Sequence, residues 1–129
     1  MYAPVIQKAR PKRRYTFTNY EAVFFDQIVA EGSISYEFMI VVFEKGKQAP
    51  FLLVTSEKND PVAAAAVMKE LGLDDITTER EGASHFLCLF DERGHHNFGD
   101  SNDWGNADKF EKAALRILQD RLGETPADA

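Results

Sequence analysis

Cysteine is almost absent from this chain: Cys88 is the only one in 129 residues. A lone thiol closes no internal disulfide, so a disulfide-stapled secreted scaffold is excluded and a reducing, cytoplasmic setting is expected. Long apolar runs are missing too. The longest strongly apolar stretch is Phe38–Phe43, far short of the ~20 residues that a membrane helix needs. No secretory leader pattern is present, and no membrane partner is expected.

Chemical signatures are equally scarce. The chain has no glycine-rich phosphate loop, no His-Glu-x-x-His or Cys-x-x-Cys pair, and no nucleophile elbow around Ser84 or Ser101. Cys88 lies mid-strand in an apolar segment, where a buried thiol is inert, and alternation sends His85 to the other face. No catalytic residue, no cofactor and no resident metal are therefore expected, and the balance leans away from an enzyme.

What the chain does have is enough apolar material for one core. Hydrophobic residues make up 44%, ten of them Phe. A single domain of this length buries roughly two-thirds of its unfolded surface. Net charge is −6, unevenly spread. Residues 1–14 hold Lys8, Arg10, Lys12, Arg13 and Arg14 and no acid, whereas the remainder is strongly acidic. An acidic body repels nucleic acid, so only this basic segment is a candidate for phosphate contact, and nucleic acid is an unfavoured partner. Pro4 and Pro11 oppose regular structure there. The segment reads as an N-terminal arm, residues 15–122 as the domain, and residues 123–129 as a frayed tail.

Within the domain, Tyr15–Ala30 reads as a strand bent at Asn19, and Ser33–Glu44 as a second strand after a Glu31–Gly32 turn. A two-residue turn pairs Ala30 with Ser33 and, stepping outward, Phe25 with Phe38 and Asp26 with Glu37. Phe51–Ser56 is a third strand. Asp60 and Pro61 open a helix that Gly72 closes. His85–Phe90 is apolar on both faces and reads as a central strand. Ala107–Leu122 is an amphipathic helix with Phe110, Ala114, Ile117, Leu118 and Leu122 on one stripe and Asn106 as its cap. The expected fold is α+β: a mostly antiparallel sheet of four to five strands with two helices, β-β-β-α-β-α, in two layers.

Three surfaces are candidates for function. The first is the polar stretch Asp91–Asp108, which holds two adjacent histidines, five acids, three glycines and the only tryptophan. His95, His96, Asp100 and Trp104 are its candidate ligand-binding residues. Adjacent histidines diverge on an extended chain, which speaks against a shared metal. Asp100, Asn102, Gly105 and Glu111 partly match a calcium loop, but Trp104 occupies a ligand position, and the match reads as turn composition. The second is the Asp26/Glu37 pair, two carboxylates directly opposed on a sheet, which a cation or a shared proton would have to reconcile. The third is an apolar half-face, Phe24, Met39, Val41, Leu52 and Val54, larger than two short helices can cover.

The favoured reading is a non-enzymatic interaction domain of regulatory or chaperone-like type. It would work as a homodimer through that half-face, with a protein partner possible. The alternatives are a small-ligand-binding domain or minor enzyme with its site under residues 91–108, and a nucleic-acid contact through the basic segment.

Overall fold

The computed structural model describes residues 4–32, 34–59, 69–70, 72 and 83–127. Six strands form one antiparallel sheet in sequence order: β1 (Ile6–Thr16), β2 (Tyr20–Ala30), β3 (Tyr36–Glu44), β4 (Pro50–Lys58), β5 (His85–Asp91) and β6 (Gly94–Asp100). A 3-10 turn (Asn102–Gly105) leads into helix α1 (Ala107–Leu122). The fold is α+β, but the expected count is corrected. There are six strands instead of four or five, and one α-helix is described from end to end where two were expected, Lys69 and Glu70 being the only other residues described as α-helical. The helix expected between Asp60 and Gly72 lies outside the described residues, apart from Lys69, Glu70 and Gly72.

Both additional strands are the outermost ones, and their exposure explains why sequence pattern missed them. Neither strand has a fully buried residue, so neither needs the apolar alternation that burial of a face imposes. Residues 6–14, expected as part of an arm, belong with Tyr15 and Thr16 to β1, paired with β2 from Ile6↔Ala30 to Thr16↔Glu21. Pro11 fits there because an edge position tolerates a missing N–H, and the ladder is interrupted by three register shifts. Seven of the eighteen residues of the polar stretch 91–108 form β6, paired with β5. The tail is also tied down: Glu124 accepts hydrogen bonds from the Asn19 amide and side chain at 2.9 and 2.6 Å, and the Ala127 amide donates to the Thr16 carbonyl at 2.8 Å.

The β2–β3 register is one residue away from the one that a plain two-residue turn dictates. Phe25 pairs with Met39, Phe24 with Ile40 and Ala22 with Val42. Gln27 has φ +48°, in the left-handed region, and lies where the β1–β2 ladder shifts register between Lys8↔Val29 and Arg10↔Asp26. A one-residue slip reassigns every facing pair. Asp26 and Glu37 are therefore not opposed.

The sheet is buried on both faces. Against α1 lie Phe24, Phe38, Ile40, Leu52, Val54, Leu87 and Leu89, with Phe110, Ala114 and Leu118 of the helix fully inaccessible. Phe110 sits between Phe24 and Phe38, with ring centroids 5.7 and 5.5 Å away. Asn106 caps α1 by accepting from the Lys109 amide at 3.1 Å, and Gly123 ends it at φ +69°. On the opposite face Tyr36, Met39, Val41, Leu53, Phe86, Cys88 and Phe90 form a second buried cluster. The half-face expected to be bare is thus corrected: Phe24, Met39, Val41, Leu52 and Val54 are all at most 8% exposed and are divided between the two faces. The slipped register separates Phe24 from Met39, and α1 covers Phe24, Leu52 and Val54.

Candidate functional site

Asp26 and Glu37 each have their own cationic partners. Arg10 grips Asp26 with two hydrogen bonds, 2.8 and 2.7 Å long, and Lys12 stands 3.9 Å away. These bonds outweigh partial burial and hold the Asp26 carboxyl below its usual range. Glu37 lies 3.3 Å from Lys58 Nζ and 3.8 Å from His85 Nε2. Burial lowers the His85 pKa despite the nearby Glu37 charge. Ser84 Oγ meets His85 Nδ1 at 2.6 Å, which lines up a hydroxyl, an imidazole and a carboxylate. The 3.8 Å gap to Glu37 is too long for a hydrogen bond, so the ring is not oriented as a general base requires.

The basic segment is partly neutralised by the chain itself. Besides Arg10 and Lys12 on Asp26, Arg13 binds Glu111 of α1 at 2.8 and 2.9 Å. Tyr15 also donates to Glu111, and burial together with that bond pushes its hydroxyl well above the usual range. Three of the five bases offered for phosphate contact therefore pin β1 to β2 and α1. Glu111, the last position of the calcium-loop match, serves this contact too.

His95 and His96 point to opposite faces of β6, as adjacent strand residues must. On the α1 side, His96 Nε2 lies 3.0 Å from Asp91 Oδ1, which also accepts from the Arg93 amide at 2.8 Å. Arg121, near the end of α1, donates to Asp91 Oδ2. The Asp91 side chain is 3% exposed. Burial alone would raise its pKa; the bonds from His96 and Arg93 and the Arg121 charge prevail and lower it. Beside this group opens a cleft of about 250 Å³ lined by Tyr20, Phe51, Leu52, Asp91, Glu92, Arg93 and Arg121. It is smaller than most small-molecule pockets.

On the opposite side His95 stacks on Phe90, centroids 4.7 Å apart, with Nε2 3.5 Å from Glu57 Oε2. Cys88 belongs to the same group: ligand atoms of Glu57, Cys88 and His95 lie within 4.8 Å of one another. Asp100 is exposed and accepts from the Asn97 side chain at 3.4 Å. Trp104 folds back onto the body. Its Nε1 donates to the Gly99 carbonyl at 3.2 Å, and its own carbonyl accepts from Ser56 Oγ at 2.5 Å.

The six candidate ligand-binding residues thus do not converge on one pocket. His96 joins Asp91 and Arg121, His95 joins Glu57 and Cys88, and Asp26, Glu37, Asp100 and Trp104 each have separate partners. Glu57 escaped the sequence reading, and Cys88 reads there only as a buried thiol. Glu57 lies in the polar end of β4, residues 55–58, beyond the strand expected over Phe51–Ser56, a position that looks solvated. The available signal was parity: Glu57 and Leu53 share one face of β4, and once β4 and β5 are paired that face meets Cys88.

Comparison of the chain with known protein families, with curated proteins and with solved structures finds no match in any of the three.

Proposed function

We propose that this chain is a protein-interaction module that binds a second copy of itself through the free edge of β6. One observation carries the reading: the two sheet edges are guarded very unequally. β1 bears five bases, a proline and three register shifts, the devices that keep an edge from pairing with another chain. β6 reads GHHNFGD, with no lysine, arginine, glutamate or proline. Leu87 pairs with Gly99 and Cys88 with Asn97, so Phe98 is the residue left over in a bulge, and it is 53% exposed.

The far end of β6 is closed, because Asn97 Oδ1 takes the Gly99 amide at 2.7 Å and Trp104 takes the Gly99 carbonyl. The run Gly94–Phe98 is what a mate would use. Antiparallel pairing of one strand with its own copy satisfies a two-fold axis without further design. It sets no carboxylate or ammonium of this run against its twin, and it sheathes Phe98. Such an edge contact is small, so a dissociation constant in the micromolar range is expected. No helix among the described residues is long and apolar enough to cross a membrane. The proposal further places the module in a reducing compartment, in keeping with its lone, buried thiol.

Light scattering coupled to size exclusion tests this. The wild type should show concentration-dependent dimer mass. Phe98→Lys, which puts a charge in place of the sheathed ring at each end of the paired run, should be monomeric while keeping its circular dichroism spectrum. Arg14→Glu on the other edge should still dimerise. A wild type that stays monomeric at high micromolar concentration, or a Phe98→Lys variant that dimerises equally well, would overturn the proposal.

A further inference from the structure

The sheet face opposite α1 carries a cluster that edge pairing leaves unused. Three adjacent strands, β4, β5 and β6, each contribute one side chain to it: Glu57, Cys88 and His95. A tetrahedral ion with bonds of about 2.0–2.3 Å holds its ligand atoms roughly 3.5 Å apart. His95 Nε2 and Glu57 Oε2 already stand at 3.5 Å. All three ligand atoms lie within 4.8 Å of one another, so closing the set takes only side-chain rotation of about 1 Å.

We propose that Glu57, Cys88 and His95 form a binding site for a divalent transition-metal ion of the zinc type. The donor set selects this class. Thiolate and imidazole suit zinc and its neighbours, whereas calcium and magnesium require oxygen ligands throughout. Charge selects it as well. One thiolate and one carboxylate neutralise a divalent ion, so the loaded site carries no net charge into a cluster that includes Leu53, Phe86 and Phe90.

A second, independent observation points the same way. Glu57 Oε2 and Thr55 Oγ1 are buried and have no hydrogen-bond partner. A buried carboxylate oxygen whose approach to His95 Nε2, at 3.5 Å, is too long for a good hydrogen bond is costly, and a cation removes that cost. Thr55 pairs directly with Cys88 across the β4–β5 ladder, which places its hydroxyl where it can donate to a metal-bound thiolate. Stacking on Phe90 limits the rotation of the His95 ring. The His95 side chain is 43% exposed, so water has access to the site and can supply a fourth ligand. On binding, the Cys88 thiol gives up its proton to bulk solvent, the sulfur–metal bond replaces it, and no electron is transferred. The site does not depend on the edge pairing, since its ligands are side chains on a sheet face.

The test uses the full chain, stripped with a chelator and titrated with cobalt(II). We expect one ion per chain, an absorption band from thiolate-to-cobalt charge transfer, and loss of the band on adding zinc. Cys88→Ser should abolish the band. His95→Ala, at a partly exposed position that leaves the core intact, should weaken zinc binding about 100-fold against a chromophoric chelator. His96→Ala, on the opposite face, should leave it unchanged. Cobalt bound without the band, or zinc held equally well by His95→Ala and the wild type, would mean diffuse binding to an acidic surface and would overturn the assignment.

Discussion

Replacing Asp91 by Asn should loosen the end of α1 from the sheet. The carboxylate is 3% exposed and receives the Arg93 amide, His96 and Arg121. The amide keeps the acceptor that Arg93 and His96 share at Oδ1 but loses the charge, and it turns an NH2 toward Arg121 at the Oδ2 position. Hydrogen bonds to a charged group are worth about 1.5–3 kcal/mol each, against about 0.5–1.5 for neutral ones. Arg121 and His96 remain 37% and 40% exposed, so water recovers part of what they lose. The net cost should be about 2–3 kcal/mol, below the 3–5 expected for a fully buried pair. For a chain of this size that lowers Tm by roughly 6–15 °C. Urea unfolding should show a lower midpoint with an unchanged slope. The Asp91 pKa is lowered in the folded state. Its contribution is therefore complete above the unfolded value near 3.9 and fades as pH falls through the folded one. The gap between wild type and variant should close in that acid range. Arg121→Ala combined with Asp91→Asn should cost less than the sum of the two single changes. A loss under about 0.5 kcal/mol, or strict additivity with Arg121→Ala, would refute the view that this contact fastens the helix.

Two further outcomes follow from the packing and the charges. Phe110→Ala removes a fully buried ring held between Phe24 and Phe38; it should cost about 3–5 kcal/mol in denaturant unfolding. His85 has a folded-state pKa lowered mainly by burial. Protonation therefore favours the unfolded chain, and stability should decline as pH drops below about 6.5, the unfolded value. His85→Gln should flatten that segment of the pH–stability curve, and an unchanged curve would assign the decline to another group.

The elements legible in the sequence were those that bury one side. Ala107–Leu122 is helical over the expected range, because the Phe110, Ala114 and Leu118 stripe, the Asn106 cap and the Gly123 stop are all local signals. Strands β2 to β5 were visible for the same reason, as apolar segments between turn residues. β1 and β6 were not, since neither has a fully buried residue and neither carries obligatory apolar alternation. Of the candidate site, the divergence of His95 and His96 was legible from strand geometry alone. The company each keeps was not: Asp91 and Arg121 for one, Glu57 and Cys88 for the other.

The sequence by itself determined composition, the helix and its caps, the four inner strands and the charge asymmetry, because each of these depends on residues near one another along the chain. Tertiary structure alone decided the rest. β2 pairs with β3 one residue away from the register of a plain two-residue turn, which parted Asp26 from Glu37 and sent Phe24 and Met39 to different faces. The order of six strands then placed Glu57 beside Cys88 and His95. Register and strand order are settled by how whole faces bury against each other, and that sum over distant residues is written in no single segment.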